Sequence, residues 1–401
     1  MFVPSSDGFR WCSKHNEPFK WLGSWRSTYL SLGPEHVAQI DCSTVFSDVL
    51  HRPFLCAHTP LAPYTENIPT KNALPVLQDL TYIEFAAHWV DRPFILKRPV
   101  LEWPVYRSWD TAKLVEDFAD VHFRAEAVDW PLKTYVKYMN DNHDESPLYL
   151  FDRGFVEKMG INVGRDKKDA AYWIPDCFGE DLFSVLGDKR PDSRWLIVGP
   201  ARSGSTFHKD PNATSAWNAV LRGSKYWIMF PTSKNSPSPP GVYVSDDQSE
   251  VTSPLSIAEW LIGFHAAARN TPGCMEGICH EGEVLHVPSG WWHLVVNLDA
   301  SIAITQNFVP RSHLASVLSF LEEKADQVSG FKKEVENPFL TFTQCMEEAY
   351  PDLLAQAREE LEGRKQDNRK RKWDAAVGGD GDPVRFSFGF GNDGDSDEDI
   401  P

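Results

Sequence analysis

The stretch STFHKDPNATSAWNAVLRGSKYWIMF, residues 205–230, sets a histidine and an aspartate two apart, just ahead of two strand-like runs. SAWNAVLRG (215–223) and KYWIMF (225–230) are rich in aromatic and aliphatic residues and are bounded by turn formers, as strands are. RGSK between them reads as a hairpin turn in which Gly223 supplies the unusual backbone angle. On an extended segment His208 and Asp210, at i and i+2, point to the same side, so one imidazole and one carboxylate can reach a common ion.

The pattern continues outward. LYLFD (148–152), RWLIVG (194–199), GEVLHVPSG (282–290), WHLVVNL (292–298) and SIAITQNF (301–308) read as further short strands, and LDAS suits a tight turn between the last two. A helix is expected from about Tyr82 until Pro93 breaks it, then a strand around Phe94–Lys97. Many short strands with Gly and Pro turns favour a sandwich or barrel over a parallel α/β sheet. FKWLGSWRSTYLSL (19–32) carries Trp21, Trp25, Tyr29 and Leu30 on one face of a short helix, and 58–72 reads as a linker or a wrapped loop. After Pro310, HLASVLSFLEEKADQV and TQCMEEAYPDLLAQAREELEGR have helical spacing. RKQDNRKRK (364–372) is a basic run, and the acidic end that follows has the composition of a disordered tail.

Composition narrows the class. Of 401 residues 42% are hydrophobic, with 15 Trp and 24 Phe, enough for a sizeable core with an aromatic-walled cavity. The net charge is −17; seven acidic residues and Arg385 between Asp380 and Pro401 account for −6 of it. The remaining −11 argues against a general nucleic-acid backbone binder and is compatible with a basic peptide partner. Seven dispersed cysteines with no CxxC point to reduced thiols. Cys274, Cys279, His280 and His286 raise a zinc question, but the paired short spacing of structural zinc sites is missing. There is no signal-peptide pattern, and no apolar run is long enough to cross a membrane.

An HxD/E pair alone is weak, because chance gives about two in a chain of this composition. His15–Glu17 and His143–Glu145 lie in polar segments and read as solvated. His208–Asp210 gains from His293 in PSGWWHLVVNL, at the head of a later strand. Two histidines and one carboxylate suit non-heme Fe(II) and leave three positions open; the alternative for His293 is a core histidine with satisfied hydrogen bonds. Lys225 opens a strand among apolar neighbours. It either snorkels at an edge or points inward and needs an anion, which a carboxylate-bearing cosubstrate would provide. Asn218, Thr305 and Asn307 could add hydrogen bonds.

GPARSGSTFHKDPNATSAWNAVLRGSKYWIMFPT (199–232) and GEVLHVPSGWWHLVVNLDASIAITQNF (282–308) together resemble the JmjC (Jumonji-C) 2-oxoglutarate oxygenases. Within them the chain is most similar to the branch of the bifunctional arginine demethylase and lysyl-hydroxylase, over about residues 80–310. The resemblance implies a mainly β fold with flanking helices, a double-stranded β-helix of the cupin type. It implies His208, Asp210 and His293 as iron ligands and Lys225 as partner of the distal carboxylate of 2-oxoglutarate. Asn218, Thr305 and Ser205 match positions that bond the cosubstrate or sit beside it; Tyr149 and Trp195 match residues lining the site. Lys209 between the ligands, Ser205 for a usual threonine, and His286 for a usually apolar residue depart from the branch. Residues 19–32 also resemble the end of an F-box; its front is missing, either because the start is truncated or because the segment is reused as a packing helix, which speaks against recruitment of a ubiquitin ligase.

The expected organisation is an F-box-like remnant (1–35), a linker (36–75), a JmjC domain (76–310), C-terminal helices (311–363), and a basic run with a disordered acidic tail (364–401). The expected activity uses Fe(II), 2-oxoglutarate and O2, with ascorbate as reductant in vitro, to hydroxylate a lysyl or other basic-peptide side chain. Arginine or lysine demethylation at the same site is the alternative, and a catalytically silent cupin-like interaction module is a third reading. A protein substrate is expected, with no nucleic acid and no membrane. A dimer through the C-terminal helices is an option, and the basic run and the resemblance point to the nucleus, the cytoplasm being the alternative.

Overall fold

The computed structural model describes residues 58–377 except 165–166, 233–237, 246–249 and 255, together with the backbone of two paired strands, β1 (Phe2–Ser5) and β2 (Gly8–Trp11). The F-box-like stretch and the acidic end from 378 onward lie outside the described residues. No described helix is long and apolar enough to cross a membrane.

The strands that follow are β3 (Val76–Leu77), β4 (Phe94–Leu96), β5 (His122–Ala125), β6 (Val128–Pro131), β7 (Leu150–Asp152), β8 (Arg194–Gly199), β9 (Gly204–His208), β10 (Ser215–Arg222), β11 (Ser224–Phe230), β12 (Tyr243–Val244), β13 (Val251–Thr252), β14 (Met275–His280), β15 (Val284–Val287), β16 (Trp292–Asn297) and β17 (Ser301–Phe308). Two sheets carry the architecture. One has nine strands in the order β3-β4-β15-β10-β17-β8-β7-β5-β6; the other has four, β14-β11-β16-β9. From β8 onward the chain alternates between them, except where β11 and β14, joined by the helix Ile257–Asn270, stay in the smaller sheet. Eight antiparallel strands shared between two facing sheets make the expected double-stranded β-helix.

This alternation corrects one expectation. RGSK is a corner, not a hairpin turn: β10 pairs with β15 and β17, whereas β11 pairs with β14 and β16. LDAS is a tight turn that likewise passes the chain from one sheet to the other. Gly223 has a φ of +77°, and a Cβ there would lie 2.5 Å from the carbonyl oxygen of Ala300, so the two corners rest on each other. Each strand is buried on both faces. A hairpin would have left the cavity without its second wall.

The outer faces have separate covers. Trp217 of the larger sheet packs under Trp103 and the flanking layer from residues 85–178. Tyr226, Ile228 and Phe230 of the smaller sheet pack under Trp260 and Leu261 of the helix Ile257–Asn270. Residues 58–72 are the wrapped loop of the two readings: Leu61 and Tyr64 pack on this second layer, and the Leu74 N–H donates to the Glu276 carbonyl at 2.9 Å. The helix at Tyr82 ends at Trp89, ahead of Pro93, as expected. Past the barrel, helices span Leu314–Glu323 and Pro338–Ala349, and Pro351 starts another that runs to Val377 and carries the backbone of the basic run.

Candidate metal centre and cosubstrate pocket

β9 delivers His208 at its last residue, and Pro211 closes the segment after Asp210. His293, on β16, is the direct cross-strand partner of His208, with a register shift just beyond it. The two imidazoles lie 4.2 Å apart, centre to centre. Metal-ligating atoms of His208, Asp210 and His293 all fall within 4.8 Å of one another. The close approach depends on Gly204, where a Cβ would fall 2.0 Å from the Val295 carbonyl oxygen.

The hydrogen bonds prepare these residues for a cation. His208 Nδ1 faces the Thr206 carbonyl at 2.8 Å, and His293 Nδ1 faces the Trp291 carbonyl at 3.1 Å. With the protons held on Nδ1, each Nε2 keeps its lone pair for a ligand bond. Burial, then the neighbouring His208, holds the His293 pKa well below the usual range, so the ring is neutral. Asp210 is raised to about 6 by burial, against the opposing pull of His208 and an Asn307 hydrogen bond. Its Oδ2 is buried and has no hydrogen-bond partner. A buried orphaned carboxylate oxygen beside two imidazole lone pairs fits a divalent cation, whose charge would keep Asp210 ionised.

A second polar group lies on the same inner face. Lys225 is fully buried, and its Nζ donates to Tyr149 Oη at 2.9 Å and Asn297 Oδ1 at 2.7 Å. Burial pulls its pKa down to about 7. Both partners are neutral, so the ammonium has hydrogen bonds but no counter-charge. Across the barrel Asn218 and Thr305 are register partners on β10 and β17. Asn218 Oδ1 is buried without a partner, whereas the Thr305 hydroxyl already donates to the Trp217 carbonyl at 2.9 Å. That commits the Thr305 proton and leaves the oxygen only as an acceptor.

A cavity of about 720 Å³ joins these groups. His208, Asp210, His293, Asn218, Thr305, Ser205, Tyr149 and Trp195, all singled out from sequence, line it. Lys225 sits behind the lining and reaches it through Tyr149. Asn297 was not singled out, yet it receives the Lys225 bond and donates to Ser203 Oγ at 2.9 Å. Its signal was alternation, since His293, Val295 and Asn297 share one face of β16. Lys209 points away from the ligands, as expected, with its ammonium 4.7 Å above the Trp292 ring. His286 is a buried link: its ring nitrogens lie 3.2 Å from the Ala216 and Val90 carbonyls, among Phe85, Phe94, Phe178 and Phe308. Of the zinc candidates, Cys274 and Cys279 are buried thiols with pKa values raised by burial, and no metal cluster besides His208–Asp210–His293 is found among the described residues.

Residues 84–313 match the family of cupin-like domains. The chain is 39% identical to the arginine-specific demethylase JMJ22 of Arabidopsis thaliana, covering 92% of this chain and 73% of that protein. It is 33% identical to the bifunctional arginine demethylase and lysyl-hydroxylase psr-1 of Caenorhabditis elegans, over 54% of this chain and 55% of that one. It is 30% identical to the 2-oxoglutarate and iron-dependent oxygenase JMJD4 of Homo sapiens, over 48% of this chain and 45% of the relative. The chain therefore belongs to the cupin-like family, in its JmjC group of iron- and 2-oxoglutarate-dependent oxygenases.

Proposed function

We propose that the protein is an Fe(II)- and 2-oxoglutarate-dependent oxygenase that hydroxylates a side chain of a protein substrate, a lysyl or other basic-peptide residue. The observation that carries this reading is the pairing of two unsatisfied groups inside one barrel. Three ligands converge with an orphaned carboxylate oxygen, and a buried lysine lacks a counter-ion. His208, Asp210 and His293 would hold the iron, and Lys225 with Tyr149 would hold the distal carboxylate of 2-oxoglutarate. When bound, these cofactors and O2 supply oxidation of a C–H bond, coupled to conversion of 2-oxoglutarate into succinate and CO2.

The protein's own part is positional. Backbone carbonyls fix the histidine tautomers, the barrel walls withhold water, and Lys225 orients the cosubstrate by charge. Where the hydroxylated carbon is an N-methyl group, the product loses formaldehyde and the outcome is demethylation. The 39% identity to a protein named an arginine-specific demethylase over 92% of this chain favours that as the second reading. A silent binding module has no use for four intact groups of this kind. We also propose a nuclear setting, supported by six basic residues among the nine from Arg364 to Lys372; a fluorescent fusion with these residues neutralised tests it.

Succinate release from 2-oxoglutarate with Fe(II) and ascorbate, in the presence of basic peptides, tests the enzyme. Turnover in the wild type that vanishes in Asp210→Ala is expected. Equal turnover in both would remove the metal centre from the account.

A further inference from the structure

Most polar groups lining the cavity have a task in iron or cosubstrate binding, but two charged residues at its mouth, Arg124 and Glu126, do not. Glu126 forms the two-residue turn between β5 and β6 together with Ala127. Its φ is +48°, a conformation in which a side chain meets its own backbone and glycine is usual. Strain of this kind persists where the surroundings impose it. One carboxylate oxygen, Oε1, accepts from the Tyr149 N–H at 3.2 Å, which anchors the side chain. Among the described residues no cation pairs with it.

The neighbouring wall has the complementary character. Phe151 and Trp195 line the same cavity, with ring centres 5.3 Å apart and planes 25° apart, and Phe151 is 41% exposed. A partly exposed aromatic pair lining the same cavity as an unpaired carboxylate attracts a cation, and a flat guanidinium most of all, because it can stack while it donates to the carboxylate.

We propose that Glu126, backed by Phe151 and Trp195, is the specificity-determining subsite that receives the cationic end of the substrate side chain. This rests on the oxygenase reading, since it takes the reacting carbon to lie between this subsite and His208, Asp210 and His293. Arg124 on the same mouth makes an anionic substrate the rival outcome.

Glu126→Gln separates charge from architecture, because the amide oxygen can still accept from Tyr149 N–H. The probes are three short peptides alike except for a central arginine, glutamine or glutamate. Their binding is measured by calorimetry to the full chain loaded with Mn(II) and 2-oxoglutarate. The wild type is expected to bind the arginine peptide at least about tenfold more tightly than the glutamine peptide, the scale of one charge-assisted hydrogen bond. Glu126→Gln should erase that ratio, and Glu126→Lys should turn the preference toward the glutamate peptide. An unchanged ratio in Glu126→Gln, or a wild-type preference for the glutamate peptide, overturns the proposal. The oxygenase reading is checked separately in the same cell: it fails if 2-oxoglutarate binding to the wild type does not depend on Mn(II).

Discussion

Lys225 and Tyr226 are adjacent in β11 and face opposite sides of one sheet. Both are completely buried, but their surroundings differ. On the outer face, the Tyr226 hydroxyl meets His265 Nε2 at 2.9 Å and donates to Glu276. Arg269 reaches both Glu276 oxygens, at 2.8 and 3.0 Å, and also donates to the Tyr64 carbonyl of the wrapped loop. Burial pushes the Glu276 pKa up, yet hydrogen bonds from His265, Arg269 and Tyr226 outweigh it and the net shift is downward. That network is closed: its charges cancel within the fold. On the inner face, Lys225 has two neutral partners, and Asp210 and Asn218 each keep an orphaned oxygen. A buried polar group without compensation costs stability and persists where something else compensates it. The outer cluster is therefore a fastening, and the inner one has the uncompensated groups that the proposed binding of metal and cosubstrate would satisfy.

The sharpest way to break this comparison is at the ligands. Asp210→Ala should lower metal-dependent succinate formation by at least about a hundredfold while leaving the fold intact, because it removes both a ligand and an orphaned buried oxygen. Gly204→Ala should also impair metal binding, by forcing β9 from β16 and His208 from His293; Mn(II) titration reads it.

Lys225→Met comes next. Loss of a buried charge-assisted contact should raise the 2-oxoglutarate KM by about ten- to a hundredfold. The ligand-free protein should become more stable, since a methionine fills the space without an uncompensated ammonium. The pH dependence follows from the sign of the shift. The folded pKa is about 7, against about 10.5 in an unfolded chain. Between these values the unfolded state holds more protons, so stability rises with pH from about 7 toward 10 and is lowest below 7. Thermal unfolding of the ligand-free wild type should show this rise, and Lys225→Met should flatten it.

The smallest effects belong to the outer face. Glu276→Gln should cost about 2 kcal/mol, because Arg269 loses its anion but keeps some contact with water. Tyr226→Phe should cost about 1 kcal/mol. Denaturant midpoints measure both, and 2-oxoglutarate affinity of the folded protein should not move. A large loss of affinity in either would merge the two faces into one functional unit.

The strands and the site were unequally legible in the sequence. Residues 194–199, 215–222 and 301–308 announced themselves through aromatic and β-branched runs, and they are strands. Alternation placed His208 and Asp210 on one side of an extended segment, whereas Ser205, Tyr149, Trp195 and the roles of Asn218 and Thr305 followed from resemblance to the JmjC oxygenases. The sheet to which each strand belongs did not follow. A glycine with positive φ serves a hairpin and a corner equally, and only contact between distant turns, Gly223 on Ala300, separates them. Asn297 was hidden for a related reason, because its importance comes from Lys225 and Ser203, both far away in sequence. His286 looked anomalous beside apolar neighbours; the carbonyls of Val90 and Ala216 that receive it come from elements 196 and 70 residues away.

The most direct test of the central claim is a calorimetric titration of 2-oxoglutarate into the protein with and without Mn(II), in the wild type and in Lys225→Met. Binding should require the metal and weaken at least about tenfold without the lysine. Binding that ignores both would contradict that claim, and the inner face would then be polar for some other reason.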